Sequence, residues 1–158
     1  MPAATLNDVV TQLLGVLREA FEGPAERWSY FTDQGPEAGL FGTLAKVGAA
    51  EASRTVAGTS IAAHAHHAAF SLEASTAWIN GDRSPRDWKS SWNVSSVDEE
   101  SWRALRERLA AGYRMLRSAI EAHAMNGESE LGESIGVAAH MAYHLGAVRQ
   151  KTAFVART

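Results

Sequence analysis

The chain of 158 residues contains no cysteine. Disulfides, thiolate metal sites and a cysteine nucleophile are therefore excluded, and a chain without disulfides suits a reducing compartment. No apolar run reaches the ~18–20 residues of a membrane span. Near the N-terminus stands the acidic Asp8, and no basic region precedes an apolar one, so no secretory leader is read there and a cytoplasmic location is expected. The sequence has no large excess of either charge: its formal net charge is −3, which gives nucleic acid no electrostatic footing. Arg103, Arg106, Arg108, Arg114 and Arg117 are interspersed with Glu99, Glu100, Glu107 and Glu121, the pattern of a solvated helix face. There is no convincing strand alternation, no internal repeat and no low-complexity tract. Motifs for a nucleotide, haem or flavin are missing, as is the paired Glu-x-x-His of a di-iron bundle.

What remains is helix, and the length suits one domain spanning residues 1–158. Leu6, Val10, Leu13, Leu17 and Phe21 recur at helical spacing. Thr5 or Asn7 can cap this first helix, and Gly23-Pro24 ends it. Trp28, Tyr30 and Phe31 follow, then the breaker Gln34-Gly35-Pro36. Leu40, Phe41, Leu44 and Val47 predict one or two short helices within 37–53. The second long helix opens at Gly58-Thr59-Ser60 and closes at Asn80-Gly81. A long connection over 81–97 carries Asp87, Trp88 and Trp92, and its indoles are placed to fold over one end of the molecule. Ser96-Val97-Asp98-Glu99 reads as a capping box for a third helix, whose apolar face is Trp102, Leu105, Leu109, Tyr113, Leu116 and Ile120. Asn126-Gly127 stops it, and a last helix runs from about Glu130 to about Ala153. Four long helices with apolar stripes predict an all-α four-helix bundle. The long stretch 24–57 predicts a crossover between helices one and two. Leu14, Phe21 and Tyr113 are expected on an apolar flank left for a second copy of the chain, which predicts a homodimer.

The chemistry-bearing residues are histidines. His140 and His144 lie four apart on the last helix, so their Cβ atoms are about 5–6 Å apart on one face. On a helical wheel they share a side with Val137 and Val148, towards the interior. Two buried imidazoles there need partners for four ring nitrogens, and a metal ion supplies two. On the second helix His67 shares a stripe of mostly small residues with Ser60, Ala63, Ser71, Ala74 and Trp78, which makes it the expected third ligand. His64 lies at the edge of that stripe and is the alternative. His66 points away, structural or exposed. His123, near the end of the third helix, reads as a capping histidine. No general base is marked: Glu133 and Lys151 lie on the metal stripe one to two turns away, and Tyr143 is to the side. The catalytic residues stay unassigned. Three neutral imidazoles would leave a divalent ion with its full charge and an open position, the arrangement of a reactive rather than a structural site.

The segment His140-x-x-Tyr143-His144-x-Gly146-x-x-Arg149-Gln150 resembles the closing signature of the DinB-like superfamily. Ser60-Ile61-Ala62-Ala63-His64-x-x-His67 resembles its second-helix signature, in which the histidine seven positions after the serine is the ligand. The likeness extends over helices two to four. It implies a four-helix bundle with a divalent metal, zinc or nickel, on His67, His140 and His144, and commonly a homodimer. It also implies transfer of a low-molecular-weight thiol, such as bacillithiol or mycothiol, to a small electrophilic substrate. A metal-dependent hydrolase with the same ligands and a non-catalytic, metal-stabilised stress or structural protein are the alternatives.

Overall fold

The computed structural model describes residues 5–25, 28–33, 35 and 37–157. Gln34 and Pro36 of the expected breaker lie outside them. The described residues are helical with no strands: α1 (Leu6–Glu22), α2 (Leu40–Ala45), α3 (Ala49–Ala52), α4 (Ile61–Ile79), α5 (Glu99–His123) and α6 (Glu128–Val155), with a 3-10 turn over Ser90–Trp92. α4 packs against both α5 and α6, and α1 contacts the same two helices from the other side. The first and second long helices thus sit diagonally, joined by the segment that holds α2 and α3.

Local chemistry explains the element ends. Thr5 caps α1 through its side chain, with Asp8 reaching back to complete the box. Gly23 closes α1 at φ 85°, a backbone region that glycine enters without penalty. Ser60 caps α4 by accepting from the Ala63 amide at 3.0 Å. The third long helix departs from expectation: its cap is Asp98, which accepts from Ser101 N–H at 2.7 Å, and not Ser96. A carboxylate at that position also suits the positive end of the helix dipole.

One core runs the length of the bundle. Leu17, Phe21, Leu72, Trp102, Leu109, Leu116, Ile120, Met141 and Leu145 are among its buried members. The Trp102 indole N–H donates to the Val47 carbonyl at 2.7 Å, so its one polar atom is satisfied inside the core. Gly112 sits where α5 meets α4: a Cβ there would stand 3.1 Å from the Leu72 Cβ. Phe21 and Tyr113 are 0% and 3% exposed. They stack on one another and meet Phe41, while Leu14 is half-buried. The flank expected to be free is therefore covered, because α2 brings Phe41 onto it.

Two connections are held from outside. The buried Glu19 carboxylate accepts from the backbone amides of Tyr30, Phe31 and Thr32 at 2.8–2.9 Å and from the Thr32 hydroxyl at 2.8 Å. Burial alone would raise its pKa, but these bonds lower it below the usual carboxylate value. The turn before α4 pairs Val56 with Thr59 through both backbone bonds. Its central residues Ala57 and Gly58 have φ of 49° and 84°, the signature of a type I′ turn.

Candidate metal centre

α4 is the central helix, buried on almost every side, so its alternating Ala and Ser positions leave the interior space that its histidines fill. His67 on α4 and His140 and His144 on α6 offer ring nitrogens that all lie within 4.8 Å of one another, close enough to hold a metal ion. His144 Nε2 and His140 Nε2 are 2.9 Å apart. Nitrogens bonded to a tetrahedral zinc at about 2.0–2.1 Å would be roughly 3.3 Å apart. The donor set therefore fits such an ion with a small outward rotation of the rings.

The outer nitrogens of two of these histidines are held by partners that fix which inner nitrogen is free. The Ser91 hydroxyl donates to the Trp88 carbonyl at 2.6 Å. Its lone pair then accepts from His67 Nδ1–H at 2.7 Å, which leaves His67 Nε2 as an unprotonated donor atom. His64 Nδ1 and His144 Nδ1 are 3.0 Å apart, and His64 Nε2 is 3.1 Å from Thr59 Oγ1. When His144 offers Nε2 to an ion, its Nδ1–H donates to His64 and His64 Nε2–H donates to Thr59. His64, the alternative ligand, thus occupies the layer behind His144. Such outer partners set ring orientation and ligand basicity in metal sites. His66 is half-buried and donates from Nδ1 to the Ser91 carbonyl at 2.9 Å, so it helps hold the 3-10 turn.

Electrostatics favour neutral ligands. Burial pushes His64 and His67 down to about 4 and His144 to about 3, with Lys151 adding to the effect on His64 and neighbouring histidines adding to it on the other two. Burial also lowers His140, although the nearby Glu133 carboxylate opposes it. Ion binding needs the imidazoles unprotonated, and near neutral pH this site already provides that.

The 81–97 connection closes over the cluster. Trp92 stacks on His67 at 4.1 Å between ring centres and meets His64 edge-on at 5.3 Å. Trp88 lies 6.2 Å from His67 and packs on Phe70. The Trp88–Trp92 segment was legible as a candidate cover; Ser91 between them was not, since serine carries no signal of its own in a loop.

The other candidates separate from the cluster. Glu133 accepts from the Ser75 hydroxyl at 2.6 Å and lines a cleft of about 310 Å³ with Trp78 and Trp88. Tyr143 is exposed, its ring 5.2 Å from that of His144. Lys151 is buried against the carbonyls of Val56 and Thr59. His123 ends α5 and accepts from the Asn126 side-chain amide at 3.1 Å. A cleft of about 620 Å³ lies along α1 between Gln12, Arg18 and Trp28, away from the histidines. Among the described residues no helix is long and apolar enough to cross a membrane. No family model, curated protein or solved structure matches this chain.

Proposed function

We propose that this chain is a DinB-like metal-dependent protein that joins a low-molecular-weight thiol to a small electrophile. The observation that carries the reading is the convergence of His67, His140 and His144 on one point, with the outward nitrogens of His67 and His144 tied to Ser91 and His64. The chain has no thiol of its own, so sulfur chemistry here needs a cosubstrate. A divalent ion on three neutral imidazoles, zinc or nickel on this reading, would favour the thiolate over the thiol near neutral pH. Ser91 and His64 hold two of the rings in the orientation that ligation requires. Trp92 and Trp88 screen one side of the cluster with indole surface, which strengthens the electrostatic interactions inside.

The test has two stages. Elemental analysis of the purified protein should find a divalent transition metal. Conjugation of a model electrophile should then be measured with bacillithiol, mycothiol and other small thiols, for metal-loaded and metal-free protein. Turnover only in the loaded form supports transfer. Rates equal to buffer with every thiol would reject it in favour of a metal-dependent hydrolase or a non-catalytic, metal-stabilised role. A cytoplasmic homodimer belongs to the same reading; with Phe21 and Tyr113 interior, the family resemblance alone supports its dimeric part.

A further inference from the structure

A third cleft, of about 430 Å³, opens between α6 and the Val56–Thr59 turn. It shares His64 with the layer behind the histidine cluster. Lys151 lines it and is only 7% exposed. Its ammonium donates to the Thr59 carbonyl at 3.2 Å and to the Val56 carbonyl. A lysine ammonium has three donors, and among the described residues these two carbonyls take only two of them. Among the described residues no carboxylate lies within ion-pair distance of it, and the cleft lining holds no Asp or Glu. Lysine is seldom buried this far without a counter-charge. Gln150 and Tyr143, which carry further hydrogen-bond donors, line the same cleft, as do the apolar Ala147 and Phe154.

A cavity with a buried, uncompensated cation, further hydrogen-bond donors and an apolar wall is complementary to one kind of ligand. We propose that this cleft binds a small organic acid, with its carboxylate on Lys151 and its apolar part against Ala147 and Phe154. The turn residues Ala57 and Gly58 hold the two carbonyls that fix the ammonium. On the thiol-transfer reading, such an acid would be one of the two reactants, its charged end separated from the metal ligands by His64. The binding itself does not depend on that reading.

The experiment is calorimetric titration of the full chain, metal-loaded and metal-free, with 4-phenylbutyrate, its neutral amide and inorganic phosphate. The acid should bind at least about tenfold more tightly than the amide, as a charge-assisted contact requires, and more tightly than phosphate. The preference should appear in both metal states and vanish in Lys151→Met. Equal binding of acid and amide would overturn the proposal, as would a preference that survives Lys151→Met. Binding of the acid only to the metal-loaded form would place it on the ion and also overturn the proposal. Phosphate binding as tightly as the acid would remove the apolar half of the site. Should Lys151→Met fail to fold, the wild type still decides: the chain has three lysines, Lys46, Lys89 and Lys151. In ¹⁵N-lysine-labelled protein the Lys151 signal should move with the acid and not with the amide, and an unmoved Lys151 signal at saturating acid would overturn the assignment.

Discussion

His144 has both ring nitrogens engaged: His140 on one and His64 on the other, with Tyr143 beside the ring. His144→Ala, like His67→Ala and His140→Ala, removes a donor that nothing replaces, so bound metal should fall to a small fraction of the wild-type value. Full metal content in His144→Ala would reject the ligand set. His64→Ala should behave differently. It leaves all three candidate donors in place and removes the acceptor behind His144, and losses of such outer partners cost about 10–100-fold in metal affinity. A competition titration against a chelator measures this. Retained stoichiometry with weakened affinity is the expected pattern, and complete loss of metal would make His64 itself a ligand.

At the level of elements, the turn into α4 is the informative one. Ala57 has positive φ without being glycine, a conformation that costs about 1–3 kcal/mol. Ala57→Gly should relieve part of that, adding about 1 kcal/mol or less of stability once the freer unfolded chain is counted, and so raise the melting temperature. Ala57→Val should lower it. Melting of the three proteins checks the order. Glu19→Ala should be worse than either, because the 30–32 segment loses four hydrogen bonds to one carboxylate, each worth about 1 kcal/mol. The same elements show what a sequence discloses. Apolar periodicity carried α1 and α5, and the i,i+4 histidine pair with the small-residue stripe carried the convergence of His67, His140 and His144. An amphipathic wheel assumes one wet face, and α4 has almost none, so His64 looked like an edge residue although it is buried. Ser96 and Asp98 are both good caps, and spacing alone did not rank them. Ser91, Thr59 and the Lys151 carbonyl contacts depend on how loops fold back, which no local pattern records.

For the whole molecule, acid should be the discriminating stress. His64, His67 and His144 have folded-state pKa values of about 4, 4 and 3, below the unfolded value of about 6.5. Groups depressed on folding contribute stability that is complete above the unfolded value. It is lost as pH falls from about 6.5 towards 4, because the unfolded chain takes up protons first. The metal-free protein should therefore lose melting temperature steadily over that window, and metal affinity should fall over the same range because protons compete for the ligands. A melting temperature unchanged between pH 7 and pH 4.5 would contradict the buried neutral cluster. Assembly is tested separately: light scattering should give about 34 kDa for a homodimer, twice the 17.0 kDa chain, and a constant monomer mass would reject it.

The stacking of Trp92 on His67 also gives the molecule an optical reporter. An indole 4.1 Å from a candidate ligand emits from within reach of whatever occupies the cluster. Paramagnetic nickel should quench its fluorescence, whereas closed-shell zinc should change the spectrum mainly by reorienting the ring beneath it. Trp92→Phe should remove most of the metal-dependent signal, with Trp88 contributing the remainder from 6.2 Å. Emission that ignores both metals at saturating concentration would mean the ion lies elsewhere.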